Sequence, residues 1–359
     1  MADPIRVIRL SGVSALRSQT MFHAVGHAFG PNTPDTIMLI EPDEPYVSIG
    51  FHQDAEKDVD LAYCEGENLQ VLRREIGGGT VYLDGDQVFC QWIFREGALV
   101  GTLDKKFEKY ISILVDTYKH FSVDAVYRPI NDIHVNGRKI GGTGAAKMGK
   151  SEVLVGSIMF DFDIDTMAKV LKAPSEKFRD KVFQSLQEYM TTMKKELGDV
   201  PPKGEVLDRY LEHCSHRLER ELVEGEMSEE ELKLIEELDS KFSSSEWLHS
   251  AGGLRRPGVK IHEDVRVTEG THKAPGGLIR VTAQIHGDRI LDISITGDFT
   301  MAPATAVSAF EQQLRGTEVT EVSVGREVDQ FYDAFQVDTP GVGRDDWVQA
   351  IVSSTTKPT

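Results

Sequence analysis

Cysteine is scarce in this chain: Cys64, Cys90 and Cys214 are widely spaced and odd in number. That excludes a disulfide framework and a CxxC-type metal site, and buried thiols are the plainer expectation. No run approaches the roughly eighteen apolar residues that a membrane-spanning helix needs. The first residues, MADPIRVIRLSGVS, lack the long apolar core of a secretory signal. No membrane association is expected, and a cytoplasmic location follows. Positive charge is also short, with 40 Lys and Arg against 58 Asp and Glu and a net charge of −18. Binding to nucleic acid rests on cations that neutralise phosphates, so nucleic acid is not the expected ligand. Internal repeats and low-complexity tracts are missing as well.

What remains is an ordinary globular composition. Across 359 residues, 40% are hydrophobic and 27% charged, which is material for about two domains. The acidity is uneven, with thirteen acidic and five basic residues between Glu205 and Lys241. A solvated helical face explains it most simply. Lys172 to Lys195 reverses the balance, six basic to three acidic, which suits either a solvated helix or a docking face for an acidic partner.

The most informative stretch is Val71 to Phe94, VLRREIGGGTVYLDGDQVFCQWIF. Three glycines, Gly77, Gly78 and Gly79, follow the basic pair Arg73 and Arg74. Consecutive glycines strip the Cβ atoms from a short stretch, so an anion can approach main-chain N–H groups, and the arginines supply fixed charge. A glycine-rich turn with nothing bound fits the same residues equally well. The second stretch is Asn131 to Lys147, NDIHVNGRKIGGTGAAK. Asn136-Gly137 predicts a hairpin joining 132–135 to 138–140, which puts Lys139 on a strand just before Gly141, Gly142, Thr143 and Gly144. A strand-end lysine among small residues can aim its ammonium at a phosphate. An exposed strand lysine would look the same. Two glycine loops, each with a basic neighbour, favour an anionic ligand such as a nucleotide.

In chain order, periodicity predicts a strand over 5–10, a helix over 15–29, paired strands over 36–40 and 46–49, and a helix over 58–67. A hairpin over 82–94 turning at Asp84-Gly85-Asp86 comes next, then an amphipathic helix over 103–121. Strand 152–163 and a mainly helical segment to Phe242 follow. In that segment the run from Val206 to Leu222 reads as one helix, and a Ser228–Glu231 capping box opens another with Leu232, Ile235, Leu238 and Phe242 inward. Small polar stretches, SSSEWLHSAGGLRRPG and THKAPGG, mark a boundary. A hairpin with Ile279, Val281, Ala283, Ile285, Leu291, Ile293 and Ile295 buried then leads into helices from Pro303 and Thr320. We read residues 1–250 as a larger domain, 251–262 as a linker and 263–359 as a small α+β domain.

The two stretches, RREIGGGTVYLD and NDIHVNGRKIGG, resemble the RRxxGGGxVxxD and NDxxxxxxKIxG patterns of the lipoate–protein ligase branch of the biotin/lipoate ligase and lipoyltransferase superfamily. The resemblance covers Ile5 to about Trp247. The tail, EGTHKAPGGLIRV to DISITGDFTMAP, is similar to the small accessory domain of those ligases. It implies an α+β fold: a mixed and antiparallel-sheet catalytic domain with packed helices, plus the small accessory domain. It also implies ATP-dependent activation of lipoate or octanoate to an acyl-adenylate, then transfer to one lysine of a lipoyl carrier. The carrier would be the glycine cleavage H protein, a 2-oxoacid dehydrogenase lipoyl domain or a lipoate-binding protein of sulfur metabolism, and the enzyme a monomer.

By the same resemblance Lys139 is the catalytic lysine that bridges acyl carboxylate and phosphate. Arg74, Gly77, Gly78, Gly79, Thr80, Val81, Tyr82, Gln87, Asn131 and Asp132 would line the nucleotide. Arg74, Ile76, Lys139, Gly142, Thr143, Val155 and Gly156 would line the acyl group, and Asp132 would meet a magnesium ion through the phosphates. Together the two loops would form one acyl-adenylate pocket. Three departures bear on acyl preference: Gly141 where serine is usual, Thr143-Gly144 for a serine-alanine pair, and Val155 for a histidine. Two alternatives follow. Sister acyltransferases use a cysteine and take octanoyl groups from acyl carrier protein without ATP, yet no cysteine lies between Gln91 and His213. A non-catalytic carrier-binding factor would tolerate loss of the lysine or the glycines, and both are present.

Overall fold

The computed structural model describes residues 3–251 and 265–354. Its elements in order are β1 (Ile5–Val13), α1 (Ala15–His27), β2 (Thr36–Pro42), β3 (Tyr46–Ile49), α2 (Ala55–Asp58), α3 (Leu61–Gly66), β4 (Gln70–Arg73), β5 (Val81–Leu83) and β6 (Gln87–Arg95). Next come α4 (Leu103–His120), β7 (Ala125–Arg128), β8 (Asp132–Val135), β9 (Arg138–Gly142), β10 (Gly144–Met148), β11 (Ser151–Met159), α5 (Ile164–Val170), α6 (Glu176–Tyr189) and α7 (Met193–Leu197). The rest are α8 (Lys203–Leu218), β12 (Leu222–Glu224), α9 (Glu229–Phe242), α10 (Ser245–Leu248), β13 (Val265–Ala274), β14 (Gly277–His286), β15 (Arg289–Gly297), α11 (Ala306–Leu314), α12 (Glu321–Ala334) and α13 (Arg344–Ser353). None of these helices is long and apolar enough to cross a membrane. The expected α+β class is observed. All of the expected linker beyond Ala251 lies outside the described residues.

The chain divides into two units by contact, and the division does not follow chain order. The first holds residues 1–48, 59–72 and 81–244. Its main sheet runs β10-β11-β6-β2-β1-β12, with β1 parallel to both β2 and β12 and the other pairs antiparallel. β6 is central and buried on both faces up to Phe94. From one face, Val88, Cys90, Trp92 and Phe94 join Phe107, Tyr110, Ile111 and Leu114 of α4 in a single core. The Trp92 ring meets Tyr110 edge-on at 4.9 Å, and its N–H donates to Tyr210 Oη at 3.0 Å. Each such large side chain removed from water contributes roughly 1.5–3 kcal/mol, which is why α4 follows its apolar stripe so closely. A smaller sheet of β7, β8 and β9 carries the second glycine loop.

Several strand expectations change. β2 does not pair with β3, and β5 does not pair with β6; β3 and β5 pair with each other in a separate sheet with β4. A nine-residue strand buried along its length needs long neighbours on both edges, and β2 and β11 supply them, so three-residue β5 turns away at Asp84–Asp86. Leu222 lies on β12 because Glu219 adopts φ 54° and ends α8. The Ser228–Glu231 capping box is present, but Leu232 points outward while Ile235, Leu238 and Phe242 are buried.

The second unit holds residues 49–58, 73–80 and 245–359. β13, β14 and β15 form an antiparallel sheet, so the expected hairpin gains a third strand. The THKAPGG stretch is not a linker but the end of β13 and its turn into β14. A register shift after Gln284 buries Ile290 and leaves Leu291 exposed. Ile279, Val281, Ala283 and Ile285 pack with Phe299, Phe310, Phe331 and Trp347. Helix α13, which carries the buried Trp347, has no forerunner in the sequence reading.

Candidate active site

The Asn136-Gly137 turn forms as expected, with φ 50° and 80°, and connects β8 to β9. In the ladder Lys139 faces His134 and Gly142 faces Asp132. Lys139 therefore extends past the glycines to put Nζ 2.8 Å from Asp132 Oδ1. A Cβ on Gly142 would lie 3.0 Å from that Nζ, so the glycine is what lets the lysine lie flat. The Lys139 carbonyl accepts from Thr191 N–H at 2.8 Å, which fixes the strand behind it. On the far side of Asp132, Oδ2 sits 3.5 Å from Tyr189 Oη and 3.8 Å from His134 Nε2.

Asn131 and Thr143 tie the mouth of this hairpin. Thr143 donates its N–H and its hydroxyl to the Asn131 carbonyl at 2.9 and 3.0 Å, and Asn131 Nδ2 donates back to the Thr143 carbonyl. Gly156, on β11, makes room for Thr143 and Tyr110: a Cβ there would be 3.1 Å from Tyr110 Oη and 3.2 Å from Thr143 Cγ2. Neighbouring Val155 is half-buried. Lys139, Asp132, Asn131, Gly142, Thr143 and Gly156 thus gather in the first unit. Gln87, also there, is buried and donates to the Tyr82 carbonyl at 3.2 Å, so its amide is occupied by the chain.

The glycine run belongs to the second unit, together with Arg74, Ile76 and Thr80. The paired arginines have different tasks. Arg73 is fully buried and donates to the carbonyls of Gly50, Phe51, Trp247 and Leu248, so it is a staple whose donors are spent on the chain. Burial pulls its guanidinium down to about 10. Arg74 is half-buried and reaches along its own loop, donating through Nη2 to Gly77 O at 3.0 Å and Gly79 O at 2.8 Å. Ile76 is fully buried, and Thr80 donates its hydroxyl to Gln53 Oε1 at 3.2 Å.

All three glycines have neighbours in the chain itself, and Gly77 and Gly78 are the most tightly held. A Cβ on Gly77 would meet Phe299 O at 2.8 Å and Thr300 Cα at 2.9 Å, and Gly78 donates its N–H to Phe299 O at 3.3 Å. A Cβ on Gly50 would fall 1.9 Å from Gly78 O. Gly50, His52 and Phe299 are residues of this loop's surroundings that motif reading missed. Gly50 is a lone glycine at a strand end, and Phe299 lies over two hundred residues away, so neither gives a local signal.

A match to the family model described as "Lipoyl protein ligase A/B catalytic domain" spans residues 17–215, more than half of the chain. The chain belongs to this family. It is similar to Lipoate-protein ligase A subunit 1 of Thermoplasma acidophilum, at 31% identity over 58% of this chain and 82% of that one. It also resembles Octanoyltransferase LipM of Kyrpidia tusciae, at 24% identity over 62% of this chain and 89% of that one. Among solved structures, a bipartite lipoate protein ligase from T. acidophilum, described with its E2 lipoyl domain, superposes with a TM-score of 0.63 at 26% identity. That match covers 72% of this chain and 99% of that one.

Both ligases and acyltransferases of this family are therefore among the relatives, and the cysteines bear on the difference. All three are buried free thiols. Burial pushes Cys64 up to about 11 and Cys214 up to about 12, and holds Cys90 well above the usual thiol range. As for magnesium, Asp132 Oδ1 is already paired with an ammonium, and no cluster of three or more His, Cys, Asp or Glu side chains suited to a metal occurs among the described residues. Among the described residues, protein donors alone do not make a magnesium site.

Proposed function

We propose that this lipoyl protein ligase family member is an ATP-dependent lipoate–protein ligase. The observation that carries the reading is the state of the thiols. Thioester exchange needs a thiolate, and Cys64, Cys90 and Cys214 are all buried with their pKa values raised, whereas Lys139 is accessible and held among small residues. A lysine without a nucleophilic thiol suits activation of a free carboxylate.

The chemistry has two halves. The carboxylate oxygen of lipoate attacks the α-phosphorus of ATP, the bond to the β-phosphate oxygen breaks, and pyrophosphate leaves. The neutral amine of a carrier lysine then attacks the acyl carbon and expels AMP, releasing one proton. Both halves bring anions together or build charge at phosphorus, so fixed cations and dipoles supply most of the stabilisation. Lys139 is assigned to the junction of carboxylate and α-phosphate, with Gly142, Thr143, Val155 and Gly156 beside the acyl group. Asn131 holds the loop mouth, and Asp132 keeps the ammonium in place until substrate replaces it. Arg74 and Gly77 to Tyr82 are assigned to the nucleotide, whereas Gln87, its amide taken by the Tyr82 carbonyl, and Ile76, fully buried, are given no ligand contact. Magnesium would come with the nucleotide's phosphates.

The proposed acceptor is a lipoyl domain, consistent with the E2 lipoyl domain described with the Thermoplasma ligase. The test is pyrophosphate release with free lipoate, ATP and an apo lipoyl carrier, read beside the intact mass of the carrier. Lipoate- and ATP-dependent release with a matching mass gain is the expected result. Acyl transfer from an octanoyl-loaded carrier protein without ATP would overturn the reading in favour of the transferase.

A further inference from the structure

The segment Gly297 to Thr300 is shaped to an unusual degree by its neighbours. Gly297 and Gly277 adopt φ 151° and 143°, where only glycine is at ease, and a Cβ on Gly297 would fall 1.9 Å from Leu278 O. Asp298 donates its N–H to Leu278 O at 3.1 Å and accepts from Leu278 N–H through Oδ1. From that base the Phe299 side chain enters the core of the second unit and meets Trp347 edge-on at 5.1 Å. Its other face is stacked on His52, with ring centroids 4.5 Å apart and 14° between the planes. Gly297 donates its N–H to His52 O at 2.9 Å, and Arg73 anchors the adjoining Gly50 and Phe51 carbonyls. The main chain of Phe299 and Thr300 is thus pressed against Gly77, with the Phe299 carbonyl accepting from Gly78.

We infer that Phe299 is a positioning residue for the activation step, fixing the glycine run 77–79 in the conformation that receives the nucleotide. The inference rests on the adenylation reading given above and names a residue outside both sequence motifs. A triglycine is the most freely rotating segment a chain can contain, and ordering it is costly in backbone entropy. Arg74 holds two carbonyls of the run from one side, and Phe299 holds the Gly78 N–H and the surface of Gly77 from the other. With both in place the ordering cost is met during folding. Without the second, it falls on nucleotide binding. Phe299 touches no reacting atom; it acts through the glycines.

The experiment uses the full chain with His52→Ala, which removes the ring stacked on Phe299, and with Phe299→Leu, which keeps apolar volume in the core and loses the flat face. Initial rates of lipoate-dependent pyrophosphate release are measured while ATP and lipoate are varied in turn. Hydrogen–deuterium exchange is followed at residues 76–80. Both variants are expected to raise the KM for ATP about tenfold, the equivalent of about 1.4 kcal/mol, with the KM for lipoate changed less than about twofold. Exchange at 76–80 should quicken in both, and His52→Phe, which restores a ring, should return both readouts to near the wild type. A merely structural loss would lower the active fraction and leave the two KM values unsplit. If either folded variant shows wild-type exchange at 76–80, the inference is overturned, even if the wild-type chain releases no pyrophosphate. That second result alone would instead overturn the adenylation reading.

Discussion

Lys139 Nζ lies 2.8 Å from Asp132 Oδ1, and the two residues are brought together by a hairpin whose Asn136-Gly137 turn sets the register. The ammonium is partly exposed and sits outside the core. Lys139→Ala should therefore abolish acyl-adenylate formation while changing stability little, since an ion pair this close to solvent contributes about 0–1 kcal/mol. Lipoate-dependent pyrophosphate release and a thermal melt check the two halves of the statement. Wild-type turnover in the variant would remove Lys139 from the mechanism.

Gly142 offers a subtler perturbation. It has no positive φ, so alanine fits its backbone, but the added Cβ would lie 3.0 Å from Nζ and 3.1 Å from Cε of Lys139. The charge stays and its position changes. Gly142→Ala should slow pyrophosphate release between about tenfold and a hundredfold, the scale expected of a displacement near 1 Å at a reacting group. Equal rates in variant and wild type would mean that the lysine is not held where the reaction needs it.

What the sequence disclosed depended on whether the governing interactions were local. The hairpin at Asn136-Gly137, the stripe of α4 and the capping box of α9 are written in residues a few positions apart, and all three form. The pairing of β2, β3, β5 and β6 was misread because alternation marks a strand but not its neighbour. The site shows the same limit. Three glycines after two arginines do signal a special loop, but Gly77 is small because Phe299 and Thr300 lie against it, and Arg73 is a buried staple for carbonyls at 50, 51, 247 and 248. Those partners lie from about twenty to more than two hundred residues away.

Glu311 in α11 gives a pH test of the second unit. Its carboxyl accepts from Ile295 N–H at 2.7 Å, and burial raises its pKa to about 7. A raised folded pKa means that the folded state keeps a proton the unfolded state has already lost, so stability falls as pH rises from about 4.5 through 7. Glu311→Gln retains an acceptor for Ile295 and does not titrate. At pH 8 it should be more stable than the wild type by on the order of 1–3 kcal/mol, and the advantage should vanish below about pH 4.5. Urea midpoints at both pH values decide it, and an equal difference at each would show that the carboxyl is not the cause.

His52 makes the opposite prediction, in a window set by its own pKa. Burial, with the Arg73 cation nearby, lowers the imidazole to about 3 from its ordinary value of 6.5. Between those values the unfolded chain binds a proton that the folded chain refuses, so stability rises with pH and is lost as pH falls from 6.5 towards 3. The slope from this one group is roughly 1.4 kcal/mol per pH unit well inside the window. Carboxylates titrate there too, so the informative quantity is the difference between the wild type and His52→Phe, which keeps the ring against Phe299 but carries no proton to gain. That difference should be flat above about pH 7 and move steadily in favour of His52→Phe below about pH 6. Parallel stability curves down to pH 4.5 would mean that the imidazole can be protonated where it stands, and that the stack on Phe299 is looser than its 4.5 Å centroid separation implies.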